Sequence, residues 1–221
     1  MNGAVEFEPE RGRLLIGEQA LRVLVAHTAD PVAVAVEGAV DELAALQAAG
    51  VISGGRAHPA VSEALAAIVR PDLSTLELSS SGKSMRGWAS YGAAALLLPE
   101  REDDDGRRQL LAVHPTVLPA TLAELVDLGP RPMPAAAEPI VYVPDAIPDV
   151  RRRWRLDAAW KLDDGTSGGD GLEVLDTGDG LWMLTAGDEG GRPIAWPVTP
   201  TLVWRHIVRI VMRRAADDRR Q

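Results

Sequence analysis

The chain has 221 residues, 46% of them hydrophobic, no cysteine and a formal net charge of -9. That length and apolar content suffice for an ordinary core, in one large domain or two intimate halves. The missing thiols exclude disulfides, thiolate metal sites and a cysteine nucleophile, and the acidic balance argues against nucleic acid, whose phosphates need a basic surface.

No apolar run of about 18 residues occurs, so no membrane span is expected. Glu6, Glu8 and Glu10 stand where a signal peptide would carry positive charge. A cytoplasmic location is the expectation.

The N-terminal portion reads as helices. Apolar residues recur at three- and four-residue steps from Glu18 to Val25 and from Val36 to Ala49, where Val40, Leu43, Leu46 and Ala49 make one face. Gly50 stops the second helix as a C-terminal cap. After a turn at Gly54-Gly55, Pro59 to Val69 predicts a third helix with Val61, Ala64, Leu65 and Ile68 inward, ended by Arg70-Pro71.

Strand-like segments follow near 73–79, 85–98 and 109–115. Leu76 and Leu78 flank Glu77, and Trp88, Ser90 and Gly92 alternate with Gly87, Ala89 and Tyr91. Ala93 to Leu98 is apolar on both faces, as in a strand covered on both sides. Asp103-Asp104-Asp105-Gly106 supplies the turn of a hairpin, and Leu118-Pro119 opens a helix over Ala120 to Leu128.

Six prolines between Gly129 and Asp149 forbid helix and mark the boundary between halves. Ile140 to Val143 there is either a short edge strand, the position that flanking prolines tolerate, or part of a free linker. The expected organisation is a helical-plus-meander lobe over 1–128, a connector over 129–150 and a meander-plus-helix lobe over 151–221, forming one compact unit.

In the second half, Trp154, Leu156, Ala158, Trp160 and Leu162 alternate with Arg153, Arg155, Asp157, Ala159 and Lys161, a strand with one buried face. Segments near 172–176, 181–186 and 193–196 complete a meander, with Thr177-Gly178-Asp179-Gly180 as a tight antiparallel turn. Thr199-Pro200 opens a helix ending near Arg214. It sets Val203, Ile207, Ile210 and Val211 on one stripe with Trp204 and Val208, and Arg205, Arg209 and Arg213 on the solvent side. Each half is thus a strand cluster followed by an X-Pro dipeptide and one amphipathic helix.

Three motif matches fail their structural requirements. Gly82-Lys83-Ser84 resembles the end of a phosphate loop, but Glu77 stands where the first glycine belongs and a strand follows. Gly165-Thr166-Ser167-Gly168-Gly169 fits the nucleophile-elbow pattern, with His206 downstream, yet polar residues flank it and a hairpin loop fits better. The aspartates at 163, 164, 170, 176, 179 and 188 do not reproduce a calcium-loop register. His27, His58, His114 and His206 sit on separate segments, so no metal or cofactor is expected. Five of the six tryptophans lie in the second half, as core or as a contact patch.

The stretch Asp41-Glu42-Leu43 through Ala48-Ala49-Gly50-Val51, then Gly54-Gly55-Arg56 and Pro59 through Arg70-Pro71, resembles the paired helices of the EspG-like proteins of type VII (ESX) secretion in actinobacteria. Val113 to Leu128 and Leu175 through Trp182 are similar to that family's strand-to-helix passage and second-half hairpin. Family members are longer, and 129–149 stands here in place of helices that open their second half.

The resemblance implies an α+β fold, an antiparallel sheet with helices in two pseudo-twofold lobes. It also implies a cytosolic chaperone that shields a helical PE-PPE substrate. By that resemblance Ser80, Ser81, Lys83 and Met85, and on the last helix Trp204, Arg205 and Arg209, fall at the partner surface. Two other readings stand beside it. One is a small hydrolase using Ser167 or an acid with His206 or His58 in a cleft between the lobes. The other is a non-catalytic scaffold that forms a homodimer.

Overall fold

The computed structural model describes residues 5–30, 39–69, 74–80, 83–90, 92–99, 106–134, 138–143, 146–161, 166–187 and 191–217. The fold is α+β, with antiparallel sheet and, among the described residues, five α-helices. Two compact units share the chain: Met1–Thr75 with Met85–Pro115, and Leu76–Ser84 with Thr116–Gln221.

The first unit orders its strands β1 (Glu6–Glu8), β2 (Arg13–Gly17), β8 (Arg107–Val113), β7 (Ala94–Pro99) and β6 (Lys83–Ala89). Helices α1 (Glu18–Ala29), α2 (Ala39–Ala48) and α3 (Pro59–Val69) complete it, together with a small hairpin of β3 (Ile52–Ser53) and β4 (Arg56–Ala57). Leu14, Ile16, Leu24, Leu46, Leu65, Leu97 and Leu110 pack in one core.

The N-terminal reading as helix alone is corrected here, because β1 and β2 precede α1. The signal is Leu14-Leu15-Ile16 between Gly12 and Gly17, a run too short for helix periodicity and fully buried.

Helix α2 ends in a Schellman cap. The Gly50 N–H donates to the Gln47 carbonyl and the Val51 N–H to the Leu46 carbonyl, with Gly50 at φ 77°. Val40, expected on the inward face, is 81% exposed; Ala39, Glu42 and Leu46 are the buried residues, so the stripe begins one residue earlier. Val36 and Arg70-Pro71 lie outside the described residues.

The segment 85–98 is two strands. The chain reverses after Ala89, where the Ser90 N–H and hydroxyl both donate to the Ala93 carbonyl, and β6 pairs with β7 from Arg86–Leu97 to Ala89–Ala94. Ala94 to Leu97 are all buried, as their two-faced apolarity requires. β7 and β8 pair antiparallel; the acidic turn expected between them lies outside the described residues.

The second unit orders its strands β5 (Ser74–Ser80), β10 (Val150–Lys161), β11 (Ser167–Thr177), β12 (Gly180–Thr185), β13 (Ile194–Val198) and β9 (Ile140–Val141). The long β10–β11 hairpin buries Trp154, Leu156, Leu172 and Val174 on the face where α5 (Pro200–Asp217) packs with Val203, Ile207, Ile210 and Val211. Burying each such side chain contributes roughly 1.5–3 kcal/mol. Helix α4 (Leu118–Leu125), although it follows the first meander in sequence, packs on α5.

Of the two readings for the proline-rich segment, the edge strand is the one found. Ile140 and Val141 pair with Ala195 and Ile194, and the Tyr142 N–H donates to the Pro193 carbonyl. Ile147 then packs with Leu175, Trp182 and Ala195 on the opposite side of the sheet from α5.

The glycine-rich loop is also corrected. β11 starts at Ser167, so Gly168, Gly169 and Gly171 are strand residues. Trp160 lies across Gly168, where an added Cβ would sit 2.5 Å from its indole nitrogen.

Candidate protein-binding surface

Helix α5 starts where Thr199 captures the Leu202 N–H with its hydroxyl and Pro200 fixes the first turn. Once Val203, Ile207 and Ile210 are spent on the core, the outer positions are Leu202, Trp204, Arg205 and Arg209. Trp204 is 37% exposed, so it stands at the edge of the apolar stripe. Leu125 on α4 and Val117 just before it are exposed as well, giving this helical pair a solvent face richer in apolar groups than its role as a cover requires.

Beside Trp204 an open groove of about 510 Å³ is lined by Leu128, Gly129, Pro130, Arg131, Pro200 and Thr201. Its wall is held by one arginine. Arg131 donates from Nε to Asp176 Oδ1 at 3.3 Å and from Nη2 to Asp176 Oδ2 at 3.2 Å, and it also bonds the Asp127 carboxylate and carbonyl. The hydrogen bonds that Arg131 donates to Asp176 are the main reason it holds its proton even more firmly than usual.

Arg152 donates to the Val126 carbonyl at 2.8 Å, so two guanidiniums bond carbonyls just beyond the C-terminus of α4. The sequence reading missed Arg131 and Asp176. The available signal was Asp176 itself, a charge at an inward position in the row Leu172, Val174, Asp176.

On the same helix, His206 is half-buried and its Nδ1 accepts from Arg209 Nη2 at 3.0 Å. Burial first, and the Arg209 cation second, lower its pKa below the usual histidine value, against a smaller opposite pull from Asp170. Arg209 also lies 3.6 Å from Asp170 of β11.

Neither a protein-family model nor a curated protein sequence matches the chain. The structure is similar to a solved structure of the Mycobacterium tuberculosis type VII secretion system chaperone EspG5 in complex with the PE25-PPE41 dimer. The TM-score is 0.59 at 12% sequence identity, over 90% of this chain and 96% of that chain. The fold is EspG-like.

Within this EspG-like fold the expected partner residues fall as follows. Ser80 ends β5, half-buried; Ser81 lies outside the described residues; Lys83 opens β6. Met85 is 3% exposed, so its side chain is a core group and not a surface contact. Trp204, Arg205 and Arg209 are exposed on α5.

The motif matches find no support. Lys83 enters a strand, so among the described residues it has no helix N-terminus of the kind that cradles a phosphate. Ser167 sits in β11 opposite Lys161, where an elbow needs a strand-to-helix turn, and the His206 Nδ1 is engaged by Arg209. His58 caps α3, its Nδ1 accepting the Ala60 N–H, and stacks edge-on against Phe7. Among the described residues, no group of three or more histidines or acids could hold a metal, and no helix is long and apolar enough to cross a membrane.

Proposed function

We propose that this chain is a cytosolic, non-catalytic chaperone of a type VII secretion system, shielding the apolar tip of a helical PE-PPE-type substrate. The observation that carries the reading is the near full-length likeness to a chaperone solved with a PE-PPE dimer. The exposed apolar residues of α4 and α5 beside the open groove add to it. The contact surface we assign comprises Trp204, Arg205 and Arg209 on α5, and the passage from Ser80 through Ser81 to Lys83. Trp204 is the apolar anchor, of the kind that dominates interfaces.

The test is co-expression with a PE-PPE pair from the same host and purification on a tag carried by this chain. The expected result is a stable co-eluting complex with the wild type, weakened at least about tenfold in Kd by Trp204→Asp, a loss in the hot-spot range. A wild-type chain that elutes free of every such pair sinks the reading.

A further inference from the structure

His206 stands on the flank of α5, between the buried stripe of Val203, Ile207 and Ile210 and the solvent face, one turn before Arg209. Its Nδ1 and Arg209 Nη2 are 3.0 Å apart, and the same Nη2 lies 3.6 Å from Asp170 Oδ2. A guanidinium can only donate, so Nδ1 must be the acceptor. That requires a neutral ring with its one proton on Nε2.

Asp170 is itself fixed. It sits opposite Ala158 in the β10–β11 ladder, and its Oδ1 accepts the Gly171 N–H at 2.9 Å. Arg209 therefore bridges a ring on the helix and a carboxylate on the hairpin against which that helix packs. Other charges around α5 are turned elsewhere. Asp176 of β11 holds Arg131, Arg152 of β10 bonds the Val126 carbonyl, and both Arg205 and Glu124, the one charge on α4, are exposed. Among the described residues, the charges that act on the ring are Arg209 and Asp170.

We propose that these three groups form a pH-operated latch: the neutral His206 ring and Asp170 hold Arg209 against the hairpin, and protonation of the ring expels the guanidinium into solvent. A solvent proton on Nδ1 turns the acceptor into a donor and sets a second cation beside the first. The Arg209 side chain is 55% exposed and has water to move into, whereas the half-buried ring stays where the helix seats it.

Burial and the Arg209 cation disfavour the imidazolium, and Asp170 favours it less strongly. The latch is thus closed at neutral pH and opens as the pH falls below about 6.5. The outer face of α5 then presents an uncompensated arginine where it had presented a paired one. Arg209 also belongs to the contact surface proposed above, but the latch stands or falls without that reading.

The test is NMR on the full chain, following the His206 ring nitrogens and the Arg209 guanidinium between about pH 7.5 and 5.0. At the upper end the ring should carry its proton on Nε2 and the Arg209 Nη protons should exchange slowly. On acidification both residues should change together, with one midpoint below about 6.5. Arg209→Gln should move the His206 midpoint up and Asp170→Asn should move it down. His206→Gln, which has no group to titrate in this range, should make the Arg209 signals independent of pH. A neutral ring protonated on Nδ1, an Arg209 response that departs from the His206 midpoint or persists in His206→Gln, or a midpoint unmoved by Arg209→Gln overturns the proposal.

Discussion

Asp176 and His206 show how much of the second unit rests on single polar side chains. Asp176 is buried and receives two hydrogen bonds from Arg131, so Asp176→Ala would deprive Arg131 of its main partner and leave it the bonds to Asp127 and the Pro130 carbonyl. A loss on the order of 2 kcal/mol is expected, as for other charge-assisted bonds broken on one side, and urea unfolding measures it. His206 adds a pH dependence. Its folded pKa lies below the unfolded value, so the unfolded chain takes up the proton first and stability falls as pH drops through about 6.5. His206→Gln should lose less stability than the wild type between about pH 7.5 and 5.5, in paired urea titrations. The sequence signals these two residues weakly at best. Asp176 resembled one more turn aspartate, and the burial of His206 depends on how deeply α5 seats, which local pattern does not encode.

At the scale of elements, periodicity carries most of what can be read. The Trp154-Leu156-Ala158 alternation, the turn at 177–180, the Gly50 cap and the α5 stripe are all as their patterns require, because each is set by contacts within a few residues. Two things escaped. β2 centres on three apolar residues whose burial is dictated by pairing with β8, a partner nearly a hundred residues away. The phase of α2 depends on which side faces α1, and Val40 is apolar without being inside. The contrast is measurable. Ile207→Ala should cost about 2–5 kcal/mol, while Val40→Ala should change stability by less than about 0.5 kcal/mol, both by denaturant unfolding. Of the candidate surface, the exposed cations of α5 were readable from helical spacing; the groove beside Trp204 was not, since Leu128 to Arg131 reach it through the Arg131–Asp176 bond.

For the molecule as a whole, composition excluded thiol chemistry, and the doubled layout pointed to meanders and helices. It left open where the proline-rich stretch goes. That stretch has the composition of a tether, yet Arg131–Asp176, the β9–β13 pairing and Ile147 stitch it into the second unit at three places. Such a segment is a poor place to divide the protein. A single peptide-bond cut introduced just after Pro134 should leave both fragments associated through gel filtration, held by α4 on α5 and by the Arg131 pair; Asp176→Ala should let them drift apart. Anyone seeking independently expressible halves, or a site for a reporter inserted without harm, would therefore be misled by the prolines: what reads as a hinge in composition behaves as a seam.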